Sequence, residues 1–104
     1  MQTEEMTILK ALENVHQTSK GSLLIIERYE ARRKEIEQIS NYFEISEMQS
    51  ILLASVFSLA CLNEIELKEL IAYFNIEKIN LLPHINDLQY LVDKNILKKD
   101  CFKD

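Results

Sequence analysis

A chain of 104 residues with 47% hydrophobic content is long enough for one domain with a buried core, which excludes intrinsic disorder. One glycine and one proline leave too few turn residues for a sandwich or barrel, so the expected class is all-α with about five helices. The net charge of −5 weighs against a nucleic-acid binder, whose affinity comes largely from neutralising phosphates.

The first expected helix covers residues 3–18. Met6, Leu9, Leu12 and Val15 recur at three-residue steps with Ile8 beside them, which makes one apolar stripe. Thr3 opens it, and Glu4 and Glu5 suit the positive end of the helix dipole. Lys20-Gly21-Ser22 then reads as a stop and restart, with Gly21 in the left-handed conformation and Ser22 capping the next helix.

A second helix is expected over residues 22–43, roughly 33 Å long at about 1.5 Å per residue. Both its ends are apolar and its middle is charged. Glu30 with Lys34 and Arg33 with Glu37 are spaced to pair along it. Arg28, Arg32, Arg33 and Lys34 form the densest basic cluster of the chain and are a candidate contact patch; the plainer reading is a solvated face neutralised by neighbouring glutamates.

Ser46 and Gln49 match a capping box, in which each side chain satisfies the other residue's backbone N–H. The succeeding helix, 47–61, is apolar on nearly every side and belongs at the centre of a domain. A short helix over 66–74 carries Leu67, Leu70, Ile71 and Phe74 on one face, with Asn75 as its left-handed stop. Residues 76–79 read as a turn. Asn80 then caps a helix over 81–93, with Pro83 in its first turn and Ile85, Leu88, Leu91 and Val92 facing inward. Lys94-Asn95 ends it, and Ile96-Leu97-Lys98-Lys99 reads as a strand-like tail. The whole is taken as a single domain, 1–104, built from a long helical pair (3–43) and a helical core (46–99).

The order found in residues 46–99 resembles the winged-helix variant of the helix-turn-helix. Leu67-Lys68-Glu69-Leu70-Ile71-Ala72-Tyr73-Phe74-Asn75-Ile76 is similar to the family's first motif helix and turn. The phrase from Leu88 to Lys99 is similar to the end of its recognition helix and first wing strand, with Asn95 where the family often has glycine. The chain stops at Asp104, which leaves no room for a two-stranded wing. Leu81-Leu82-Pro83-His84-Ile85-Asn86-Asp87-Leu88, after a helix such as 67–74 and behind a long helical segment, also resembles the N-terminal helical domain that precedes the ATPase module of some bacterial AAA-type ATPases. That resemblance implies a motor outside this chain. A GxxxxGK[ST] phosphate loop cannot exist within it, because Gly21 is the only glycine.

The expected function is therefore non-catalytic: a protein-interaction or regulatory domain. Neither His16 nor His84 has a sequence neighbour that would activate it, and Met6 and Met48 fit core stripes. Cys61 and Cys101 belong to no CxxC or Cys/His cluster, so neither a metal nor a cofactor is expected. Cys61 reads as a small core hydrophobe and Cys101 as exposed. The alternative is a DNA-binding regulator that reads bases with Lys78, Asn80, His84 and Asp87. It is disfavoured: residues 63–104 hold six lysines against eight carboxylates, and no Arg or Lys lies between Asn80 and Val92. The expected partners are a protein or the remainder of a larger chain, with a second copy as a further candidate through the 3–43 pair. The acidic N-terminus is unlike a signal peptide, and the most apolar run, 51–62, is too short to span a bilayer; the expected location is the cytosol, away from membranes.

Overall fold

A computed structural model describes residues 3–59 and 66–97. The chain is all-α. Its elements are α1 (Glu4–Ser19), a 3-10 helix (Ile26–Arg32) running into α2 (Arg33–Phe43), α3 (Glu47–Leu59), α4 (Leu67–Phe74), a single turn α5 (Lys78–Leu81), a 3-10 turn (Leu82–His84) and α6 (Ile85–Asp93). No described helix is long and apolar enough to cross a membrane. Cys61 and Cys101 lie outside the described residues.

Helix α3 sits at the centre, as its composition requires. Residues 50–56 are buried without interruption, and α1, α2 and α6 all pack on it. Two of the seven are serines with no exposed surface. Each is satisfied inside the helix: Ser50 Oγ donates to the Ser46 carbonyl at 2.9 Å, and Ser55 Oγ to that of Ile51 at 3.1 Å. A hydroxyl that bonds four residues back needs no outside partner, so a helix can carry it into an apolar core at little cost. The helix starts where the capping box places it. Gln49 N donates to Ser46 Oγ at 3.1 Å, and Ser46 N to Gln49 Oε1 at 2.9 Å.

Helix α1 begins after Thr3, whose hydroxyl accepts from the Met6 amide at 3.2 Å. Its buried face differs from the expected stripe. Ile8, Ala11, Leu12, Val15 and Ser19 face inward, while Met6 and Leu9 are 54% and 50% exposed. The three-residue steps of the expected stripe drift round a helix of 3.6 residues per turn; steps alternating between three and four hold one face against α3.

The expected continuous helix over 22–43 is broken. Leu23 and Leu24 take left-handed backbone angles, the chain turns, and a 3-10 helix forms before α2 proper. Ser22 is therefore no helix cap; its Oγ accepts from the Leu24 amide at 3.3 Å and meets Tyr29 instead. The charge pairing shifts accordingly. Arg33 meets Glu30 at 2.8 Å and Arg32 lies 3.7 Å from Glu35, both three residues apart. In a 3-10 helix residues i and i+3 eclipse, so Glu30 reaches Arg33 rather than Lys34.

The final helical region is likewise segmented. Asn80 is the third residue of α5, not the cap of the next helix: Glu77 and Asn80 form the capping box, with Glu77 N donating to Asn80 Oδ1 at 3.1 Å. Pro83 lies in the 3-10 turn, where its missing N–H leaves no bond unmade, and α6 comes next with Leu88 and Leu91 buried. Asn75 and Asn95 both take the left-handed conformation, at φ 59° and 61°. After Asn95, Ile96 and Leu97 form a bend, not a strand: both amides donate to the Leu91 carbonyl, and Leu97 folds back into the core. Lys98 and Lys99 lie outside the described residues.

Removing a side chain from the centre tests this arrangement. Leu52→Ala is expected to lower the unfolding free energy in urea by about 2–5 kcal/mol, because the packed surroundings collapse only partly into the space left behind. Ser46→Ala, which opens the capping box, is expected to cost about 0.5–2 kcal/mol.

Candidate functional site

The basic cluster predicted on the second helix is built into the fold. Arg28 Nη1 donates to the Gly21 carbonyl at 3.2 Å. Arg32 Nε donates to Thr18 Oγ1 at 3.3 Å, which ties the 3-10 helix to the end of α1. Arg33 faces Glu30 and also lies 3.9 Å from Glu47 at the start of α3; its hydrogen bond to Glu30 raises an already high guanidinium pKa. Lys34 is exposed. Three of the four cations are therefore engaged with carbonyl, hydroxyl or carboxylate groups of the same chain.

The other predicted surface spans α5, the 3-10 turn and the start of α6. Lys78 is exposed, and Asn80 is held in its capping box. His84 Nδ1 lies 3.5 Å from Asp87 Oδ2, and Asp87 Oδ1 accepts from Gln49 Nε2 of α3 at 3.2 Å. The structure thus brings His84 and Asp87 together and ties Asp87 to the core helix. Sequence reasoning missed the apolar pair on this surface: Ile79 is 67% and Leu82 is 58% exposed, one helical turn apart. The signal was present in the spacing. Leu81, Leu88 and Leu91 already fill the inward face, so Ile79 and Leu82 are left pointing away.

A third cluster joins distant parts of the chain. Tyr73 of α4 stacks on His16 of α1, with rings 5.0 Å apart and 3° from parallel. Its hydroxyl donates to the His16 carbonyl at 2.6 Å and lies 2.9 Å from His16 Nδ1. With the phenolic proton given to the carbonyl, the ring fits when Nδ1 carries hydrogen and donates to Tyr73 Oη. Beside this pair, buried Tyr29 Oη donates to Ser19 Oγ at 2.9 Å and meets Ser22 Oγ at 2.8 Å. Burial raises the pKa of both phenols, that of Tyr73 to about 12, and lowers that of His16 against the opposing pull of Glu13. His84 meets Asp87 three residues on, a local contact, whereas His16 acquires its partner through the fold, packing against a tyrosine 57 positions away. Among the described residues no group of three His, Cys, Asp or Glu side chains could hold a metal ion.

Compared with known proteins, the chain matches no family model, no curated protein and no solved structure.

Tyr29→Phe removes the hydroxyl shared by two buried serines and is expected to cost about 1–3 kcal/mol in urea unfolding. Protonation supplies a separate test. Because burial disfavours the charged His16 ring, the unfolded chain takes up the proton more readily as pH falls through 6.5. Stability should fall there and level off below the folded midpoint, and an NMR titration should place that midpoint below 6.5. His16→Asn should flatten the slope of melting temperature against pH between 7 and about 5.5.

Proposed function

We propose that this chain is a non-catalytic protein-interaction or regulatory domain, and that it serves as the N-terminal accessory domain of a larger AAA-type ATPase in the cytosol. The supporting observation is the character of the surface at Ile79 and Leu82. A helix that enters a DNA groove presents Arg, Lys, Asn or Gln to base edges. Here the entry presents two exposed aliphatic side chains, with Asn80 spent on a cap and Asp87 on Gln49. Aliphatic side chains surrounded by polar ones suit a protein surface, where desolvation of the centre supplies affinity and the rim sets orientation.

The net charge points the same way. A chain at −5 gains nothing from the phosphate field, and three of its clustered arginines are engaged internally. The acidic net charge, and the absence of any Arg or Lys between Asn80 and Val92, favour a protein partner, whether a separate chain or the remainder of a longer one.

Two measurements test the proposal. Fluorescence anisotropy with a mixed-sequence duplex at low salt is expected to show no binding in the micromolar range; micromolar binding that weakens with added salt favours a DNA-binding regulator instead. Affinity capture with the wild type and with the Ile79→Glu, Leu82→Glu double variant is expected to recover an AAA-type ATPase only with the wild type. Both side chains are largely exposed, so the variant should melt close to the wild type. Equal capture by both would remove this surface from the proposal.

A further inference from the structure

The segment joining α1 to α2 is strained in a way its composition does not demand. Gly21, Leu23 and Leu24 all have positive φ, at 68°, 59° and 56°. Glycine adopts that region freely, but leucine does not, because its Cβ crowds the following carbonyl. Each leucine held there is disfavoured by a factor of roughly 5–30 in population. The departure from helix continues through a 3-10 run of seven residues, Ile26–Arg32. Short 3-10 turns are common at helix ends, but such runs seldom exceed about 3–4 residues, so seven at the start of α2 is unusually long.

Nothing in residues 22–32 breaks a helix. They contain no glycine or proline, and Leu, Ile, Glu, Arg and Ala dominate. Ile25, Tyr29, Arg32, Ile36, Ile39 and Phe43 are spaced alternately by four and three, the stripe of one unbroken helix. The stripe is interrupted at its start in the structure: Tyr29, Ile36 and Ile39 are buried, while Ile25 is 37% exposed.

A small set of specific bonds holds the strained form. The Gly21 amide donates to the Tyr73 carbonyl at 2.8 Å and the Leu23 amide to that of Phe74 at 2.9 Å, so the loop is docked on the C-terminal end of α4. Ser22 and Ser19 are tied to Tyr29, and Arg28 clasps the Gly21 carbonyl. Strained backbone persists only where its surroundings over-determine it. Here those surroundings are one helix end and one buried phenol.

We propose that residues 22–32 are a two-state element, docked as a strained turn and 3-10 helix on α4, and able to rewind into an α-helix continuous with α2 when the α4 contact is given up. Rewinding relieves both leucines, returns Ile25 to the stripe of Tyr29 and Ile36, and frees the carbonyls of Tyr73 and Phe74. Any ligand or partner that prefers one form shifts the balance by its difference in affinity between the two.

A pair of opposed variants tests this, read by amide exchange and far-UV circular dichroism on the whole chain. Gly21→Ala places a Cβ with no atom within 4 Å, so its effect is confined to the backbone at φ 68°. It is expected to speed exchange of the Leu23 amide by roughly 5–30-fold, with helical ellipticity rising and Leu23 still exchanging well ahead of the α3 amides of Leu52 and Leu53. Leu23→Gly with Leu24→Gly removes the strain and disfavours the rewound helix, so exchange at position 23 should slow. Faster exchange in Gly21→Ala without a gain in ellipticity overturns the proposal, since the loop then frays instead of rewinding. So does exchange at Leu23 in step with Leu52 in both the wild type and Gly21→Ala, because opening would then require global unfolding. Should Gly21→Ala fail to fold, the double glycine variant decides alone: a frayed coil gains from glycine's freedom, so unchanged or faster exchange overturns the proposal.

Discussion

Helix α3 has no face that water can solvate well. Seven consecutive residues, 50–56, must be covered from all sides, and a single neighbouring helix covers only one stripe of a cylinder. The positions of α1, α2 and α6 answer this demand, and each supplies a stripe that matches it: Ile8, Ala11, Leu12 and Val15 from α1, Ile36 and Ile39 from α2, Leu88 and Leu91 from α6. At about 1.5–3 kcal/mol for each large side chain removed from water, this centre supplies most of the drive for collapse. The buried serines do not oppose it, because their hydroxyls are satisfied by carbonyls four residues back in the same helix.

Around that centre the N-terminal pair and α4 are fastened by polar contacts. Tyr29 draws the hydroxyls of Ser19 and Ser22 into the interior, and the loop containing Ser22 donates two amides to the end of α4. Tyr73 closes the same seam from the other side by stacking on His16. Hydrogen bonds of this kind add little net stability each, but a missing partner leaves a buried polar group exposed to the full cost of desolvation. The seam therefore selects one arrangement of α4 against α1 more than it drives folding. No buried side-chain nitrogen or oxygen among the described residues is left without a partner.

The polar groups spent on this internal fastening explain the character of the surface. Arg28, Arg32 and Arg33 are engaged with the chain itself, and Asn80 and Asp87 serve a cap and a helix-to-helix bond. The surface that carries Asn80 and Asp87 offers aliphatic groups outward, Ile79 and Leu82. The strained connection at Leu23 and Leu24 docks on the C-terminal end of α4 through two backbone hydrogen bonds, from the Gly21 and Leu23 amides.

Much of the architecture was legible in the residues. The all-α class came from one glycine and one proline, the central helix from an unbroken apolar run, its start from Ser46 and Gln49, and the stops from Gly21, Asn75 and Asn95. These are local properties: periodicity, capping and backbone permissiveness act over a few residues and need no partner. Three things were decided only by tertiary structure. The break at Leu23 and Leu24 runs against local helix preference and exists because α4 carbonyls and a buried tyrosine reward it. The inward face of α1 was set by where α3 lies, which left Met6 and Leu9 outside. The pairing of His16 with Tyr73 joins residues 57 positions apart, a separation that no local pattern encodes. Local sequence chose the helices and most of their ends; competition among them for the surface of α3 and the end of α4 chose which residues became core, seam and exposed surface.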